Sequence, residues 1–209
     1  MNKELEVILE KVSELYGKYG IKSVTMDDVS RELGISKKTL YLHVENKSDL
    51  VTKVLDYVLE KGNCEIQKLH EKELNAIEEL IEVSIHIIKS VKDYNPSTEY
   101  DLKKYYPDLF KKMQDVRRDK MYKAVLQNIH KGKKEGLFRE DLDEEIIAQM
   151  QTSRFMTMGS DEMINPEDVY QPKYILELFI YHIRGIANEQ GIDMLNQTLD
   201  KIDIKEYLQ

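Results

Sequence analysis

The sequence predicts an all-α protein of about nine helices, and three observations carry that prediction. Apolar residues recur at three- and four-residue intervals along most of the chain. Turn-forming residues are scarce, with four Pro and nine Gly in 209 residues, whereas a sandwich or barrel needs many more. The composition, 41% apolar and 33% charged, excludes collagen-like, low-complexity and mostly disordered chains.

Each element has its own signals. Leu5, Ile8, Leu9, Val12, Leu15, Tyr16 and Tyr19 mark a first helix, with Gly20 as its exit. Thr25-Met26-Asp27-Asp28 reads as a capping box in which Asp28 replaces the usual Glu. A short helix follows with Val29 and Leu33, stopped by Gly34. Ser36 caps another short helix reaching about His43 or Val44, with Leu40 and Val44 on its apolar face. Asn46-Lys47-Ser48 forms a loop and a new cap. A helix then runs to about Gly62, and another from about Leu74 to Val91. Asn95-Pro96 marks a loop, and a short helix spans about 98–104. Pro107 fits the first turn of a long helix to about Lys134, where its missing N–H has no partner to lose. Asp143 caps a helix to about Met158, residues 159–171 form a loop, and the last strong helix runs from Pro172 to about Glu189.

Charge and cysteine content narrow the function. The net charge is −8, yet residues 1–50 hold eight Lys/Arg against nine Asp/Glu, so most of the excess lies beyond residue 50. That balance excludes a general nucleic-acid-coating protein and leaves room for a local positive face. A lone cysteine, Cys64, forms no intramolecular disulfide and fits a reducing compartment; with Lys61 and Lys68 its nearest cations in sequence, it reads as inert. The charged N-terminus is no signal peptide, and no apolar run approaches the ~18 residues of a membrane span. A soluble, cytoplasmic protein without a membrane partner is expected.

The two short helices joined by Gly34-Ile35-Ser36 form a helix-turn-helix pattern. Leu40 and Val44 face inward; Lys37, Lys38, Tyr41 and, at the edge, Leu42 face outward by the i, i+3, i+4 rule. A helix that enters a major groove needs that division: apolar inside, basic or small outside.

A larger constellation surrounds it. Val24-Thr25-Met26-Asp27-Asp28-Val29, Leu33-Gly34-Ile35-Ser36, Thr39-Leu40-Tyr41-Leu42-His43-Val44 and Asn46-Lys47-Ser48-Asp49-Leu50 resemble the DNA-binding domain of the TetR family of bacterial transcriptional regulators. The resemblance covers about residues 5–55; GKKEGLF at 132–138 also resembles a turn that many members carry before their eighth helix. It implies a helix-turn-helix domain over 1–47 and a helical effector-binding and dimerisation domain over 48–209. It implies base-edge contacts for Lys37 and Lys38, and a base or phosphate contact for Thr39. It places Tyr41, His43 and Lys47 on phosphates, makes Thr25 an N-cap that also reaches a phosphate, and counts Ser36, the cap of the recognition helix, among the DNA-binding residues. Asp27 departs from the family pattern, because a carboxylate there repels phosphate.

The expected protein is a homodimeric repressor on a palindromic operator, released by an unidentified small molecule. The alternative is a helical interaction module of the same fold without sequence-specific DNA binding. Ile146, Ile147 and Met150, with Ile175, Leu178, Phe179, His182, Ile183 and Ile186, are the expected dimer surface, an intermolecular four-helix bundle. His86, Tyr105, Met113 and Phe155 are candidate effector contacts; they and Tyr94 suit an ordinary helical core equally well. No HExxH, Gly-rich phosphate loop, GxSxG or clustered metal ligands occur, so no catalysis, cofactor or metal is expected.

Overall fold

The structure, a computed structural model, describes residues 3–70, 72–91, 95–158 and 166–202, without the side chains of 63–67, 69, 70, 166 and 167. Tyr94, the Cys64 side chain and residues 159–165 of the second loop lie outside the described residues. Eleven helices are found among these: α1 (Lys3–Tyr19), α2 (Met26–Leu33), α3 (Lys37–Leu40), α4 (Lys47–His70), α5 (Ala76–Val91), α6 (Pro96–Tyr105), α7 (Pro107–Lys134), α8 (Glu144–Thr157), α9 (Pro166–Val169), α10 (Pro172–Ile186) and α11 (Glu189–Lys201). The expected nine are all present; α9 and α11 are additions. The signal for α11 was in the sequence: Asn188 caps it through the Gly191 amide at 3.0 Å, ahead of Ile192, Leu195 and Leu199.

The chain packs as two compact units. The first comprises residues 1–65 and 93–115, the second 66–92 and 116–209. Packing therefore joins α6 and the start of α7 to the helix-turn-helix region.

In the first unit, α1 buries Ile8, Leu9, Val12 and Tyr16, one stripe of a 3.6-residue period. That stripe meets Ile21, Val29, Leu40, Val44, Leu50, Val51 and Val54 in one apolar cluster. The inward pair of the recognition segment, Leu40 and Val44, is 0% and 2% exposed, as expected from its spacing. Met113 belongs to the same cluster. Between α2 and α3, Gly34 takes φ +64°, a left-handed conformation that lets its amide close back on the Arg31 and Ser30 carbonyls.

In the second unit, α5 lies against α10 and α11. Ile77, Ile81, Ile85 and Ile88 pack with Ile175, Phe179, Ile183 and Ile186. The end of α7 holds the start of α5: Asn128 Nδ2 donates to the Ala76 carbonyl at 2.9 Å, Lys131 Nζ to the Leu74 carbonyl at 2.7 Å, and the Ala76 amide to Glu135 at 2.7 Å. The GKKEGLF turn then docks on the α10–α11 junction. Phe138 bridges to Ala187, the Arg139 amide donates to the Ile186 carbonyl at 2.9 Å, and the Asn188 amide donates to Leu137 at 3.0 Å. Gly132 allows this, because a Cβ there would enter the buried Phe138 ring.

Candidate DNA-binding site

The helix-turn-helix is assembled by local capping. Thr25 Oγ1 accepts the Asp28 amide at 3.2 Å, and Asp28 Oδ2 accepts both the Thr25 amide at 3.0 Å and its hydroxyl at 2.6 Å. These bonds, Thr25's first, hold the Asp28 carboxyl below its ordinary pKa. Ser36 Oγ accepts the Thr39 amide at 3.0 Å and lies 2.8 Å from the Thr39 hydroxyl. Asn46 Oδ1 accepts the Asp49 amide at 3.0 Å and so caps α4. Thr25, Ser36 and Thr39 thus orient the recognition segment; Thr25 commits its hydroxyl proton to Asp28.

The α-helical part of that segment ends at Leu40, short of His43. The Leu42 amide bonds to Thr39 and the His43 amide to Leu40, so the last turn tightens to i−3 bonding. Its outer face presents Lys38, Tyr41 and Leu42 to solvent, the last 76% exposed. Lys37 is also exposed, but it forms an ion pair with Asp27 of α2. The residue that departs from the family pattern therefore holds a residue expected to read bases.

Two expected phosphate contacts are placed elsewhere. The largely buried His43 side chain turns toward α1, its Nε2 3.7 Å from Glu4 Oε2. Its carbonyl accepts Lys53 Nζ at 2.9 Å, and Lys53 in turn bonds Asp49 at 2.7 Å. Lys47 Nζ donates to the Lys22 carbonyl at 3.2 Å, and partial burial lowers its pKa against the opposing pull of Asp101 and Asp28. Asp101 of α6 also accepts the Lys22 amide at 2.7 Å. Nothing local in the sequence signals this contact, since the partners stand 79 residues apart.

Residues 8–54 match the profile of the bacterial regulatory proteins of the tetR family. Residues 8–54 thus carry the DNA-binding sequence pattern of the tetR family. An uncharacterised HTH-type transcriptional regulator, YvaF of Bacillus subtilis, is 31% identical over 87 residues, which span 41% of this chain and 46% of that protein, so the match spans about half the length of the relative. A transcriptional regulator from Cytophaga hutchinsonii aligns at TM-score 0.69 and 17% identity, over 90% of this chain and 100% of that one. A regulator from Saccharomonospora viridis in complex with choline aligns at 0.66 and 19%, over 90% and 100%. The ketosteroid transcriptional regulator of Mycobacterium tuberculosis aligns at 0.54 and 18%, over 90% and 97%. These likenesses show the TetR fold along nearly the whole chain.

Within this TetR fold, the expected dimer residues divide. Ile175, Leu178, Phe179, His182, Ile183 and Ile186 are buried inside the chain itself, and four of them, Ile175, Phe179, Ile183 and Ile186, sit in the core that α5 shares. Side chains covered by their own fold have no area left for a partner, which corrects their assignment to an intermolecular surface. Ile147 is partly buried against the same core. Ile146 (53% exposed) and Met150 (63%) remain outside, joined by Tyr181 (70%), which sequence reasoning passed over. Arg154 lies 5.1 Å from the Tyr181 ring centroid.

The effector candidates divide between the two units. Tyr105 is on the surface and accepts Lys22 Nζ at 2.7 Å. Met113 fills the first unit's core. His86 and Phe155 belong to the second, where Phe155 tilts against Phe179 with centroids 5.1 Å apart. Gln151 and Thr152, one turn before Phe155, are buried polar side chains that sequence reasoning missed; among the described residues, Gln151 Nε2 and Thr152 Oγ1 have no hydrogen-bond partner. Among the described residues, no cluster of three or more His, Cys, Asp or Glu could hold a metal, and no helix is long and apolar enough to cross a membrane.

Proposed function

We propose that this protein is a cytoplasmic, non-enzymatic transcriptional regulator that binds a palindromic operator as a homodimer and is released by a small molecule. The carrying observation is the capped helix-turn-helix itself. Leu40 and Val44 anchor the recognition segment while Lys38 and Tyr41 stand exposed on its outer face, within the region that carries the family's sequence pattern. Lys38 supplies a base-edge donor for guanine and Tyr41 a phosphate donor. Lys37 joins Lys38 once it leaves Asp27. The functional division at 47/48 assigns α1–α3 to DNA, and α4 carries the signal between domains. Ile146, Met150 and Tyr181 lie on the proposed dimer face, apolar and exposed in the single chain. Gln151 and Thr152, beside Phe155, are proposed effector contacts, since buried polar groups without partners among the described residues gain hydrogen bonds from a ligand. A ligand releases DNA only through differential affinity for two states of the protein.

Selection from a random duplex pool at near-physiological salt tests the reading. Enrichment of a palindrome is expected. Binding that vanishes with rising salt and enriches no sequence refutes it and favours the interaction module. Lys38→Ala is expected to relax preference at one operator position by about 1–3 kcal/mol.

A further inference from the structure

We propose that Lys22, Lys104, Tyr100 and Tyr105 form a second phosphate-binding patch, which extends the DNA footprint from the helix-turn-helix onto the backbone flanking the operator half-site. The proposal rests on the DNA-binding reading above and adds a surface outside the family's matched pattern, since three of the four residues lie on α6.

The patch is pre-arranged. Lys22 Nζ donates to Tyr105 Oη at 2.7 Å, and Lys104 Nζ donates to Tyr100 Oη at 3.0 Å across one turn of α6. Lys104 also lies 5.5 Å from the Tyr105 ring centroid, which places it between the two phenols. Each phenol accepts from an ammonium and keeps its own proton to donate outward. Each ammonium keeps two further N–H groups. The Lys22 ammonium, first among the causes, holds the Tyr105 hydroxyl below its ordinary pKa, which makes it a better donor.

Six other cations of this unit are arranged differently. Lys11, Arg31, Lys37, Lys53, Lys61 and Lys112 each pair with a carboxylate. Lys22 and Lys104 face phenols instead, and neither forms an ion pair among the described residues, so their positive charge stays uncompensated at short range. Of the two acids on α6, Asp101 is buried and committed to the Lys22 amide; Glu99 is half-buried, one acid on a helix that also carries Lys103 and Lys104.

The position fits a duplex. The Lys22 carbonyl accepts Lys47 Nζ at 3.2 Å, and Lys22 precedes the Thr25 cap by three residues. The patch therefore continues from the starts of α2 and α4. An array of N–H and O–H donors on an open surface matches phosphodiester oxygens, and holds nothing that reads a base.

The test uses full-length protein and two operator duplexes, the minimal palindrome and the same palindrome extended by about ten base pairs on each side. In the double variant Lys104→Ala/Tyr105→Phe, both positions are exposed, so the fold is not at risk. The expected result is weaker binding to the long duplex, a salt slope lower by about one, and unchanged sequence preference. One lost contact makes the wild-type advantage shrink about 3.5-fold between 50 and 200 mM salt. Lys103→Ala, an exposed lysine beside the patch, is expected to change the slope less. A wild-type slope in the double variant, or an equal loss in Lys103→Ala, overturns the patch while operator selection by the wild type stands. A wild type that selects no operator removes the DNA reading, and the patch falls with it.

Discussion

Replacing Asp27 by asparagine should tighten operator binding, although it removes an ion pair. In the free protein Asp27 holds Lys37, with side chains 59% and 57% exposed. At that exposure solvent screens the pair, which contributes about 0.2–1 kcal/mol. Lys37 must leave Asp27 to reach a base edge, so DNA binding gives up that energy. Asp27→Asn removes the competition, and the same 0.2–1 kcal/mol corresponds to roughly 1.4- to 5-fold tighter binding. Loss of a carboxylate near phosphates adds to the gain. The opposing effect is on the fold: Asp27 stands in the first turn of α2, where a negative charge favours the helix by about 0.3–1 kcal/mol. That loss lowers stability slightly without unfolding a domain. The assay is operator affinity by fluorescence anisotropy, with urea unfolding as the control, in the wild type, Asp27→Asn, Lys37→Ala and the double variant. On the Lys37→Ala background the gain should shrink to the relief of repulsion. Unchanged or weaker binding by a folded Asp27→Asn protein would refute the competition, and an undiminished gain without Lys37 would show that the pair has no part in it.

Three further outcomes follow from the packing. Gly132→Ala drives a Cβ into the buried Phe138 ring, so about 1–3 kcal/mol of stability should be lost, read as a lower urea midpoint at constant m-value. Lys131→Met leaves the buried Glu79 carboxylate without its 2.7 Å ammonium, a loss of roughly 2–3 kcal/mol, whereas substituting the exposed pair Lys11–Glu14 should change stability by under about 1 kcal/mol. Burial, aided by Arg154, lowers the His182 pKa to about 4 from its unfolded value of 6.5. The unfolded state then binds the extra proton, so stability falls as pH drops from about 6.5 toward 4, by up to ~3 kcal/mol. His182→Gln should remove that component, visible as a flatter stability profile than the wild type over this window.

What could be read from the sequence was local. The capping box at Thr25 and the N-caps at Ser36, Asn46 and Asp143 each close over three residues, so their signals sit in one short window; the Asp143 carboxylate accepts the Ile146 amide at 3.0 Å as expected. The inward pair Leu40 and Val44 follows from helical period alone. Asn188 and the apolar spacing after it would have located α11 by the same logic. The candidate site was legible to the same extent: which residues of the recognition segment face outward, Lys38 and Tyr41 among them.

Partners distant in sequence were not legible. Period shows that a helix face is buried and leaves open what buries it, so the apolar face of α10 read as a subunit interface when α5 of the same chain covers most of it. The Lys22–Asp101 and Lys22–Tyr105 contacts join residues 79 and 83 apart, and the Lys22 carbonyl takes the Lys47 ammonium from 25 residues away. His43 sits in the recognition segment by position, but packing turns it to Glu4 of α1. Local hydrogen bonding and hydrophobic period, set by neighbours along the chain, determine the helices, their caps and the family pattern from the sequence itself. Which cations remain free for an anion depends on carboxylates and phenols that other helices bring alongside, and only the tertiary structure decides that.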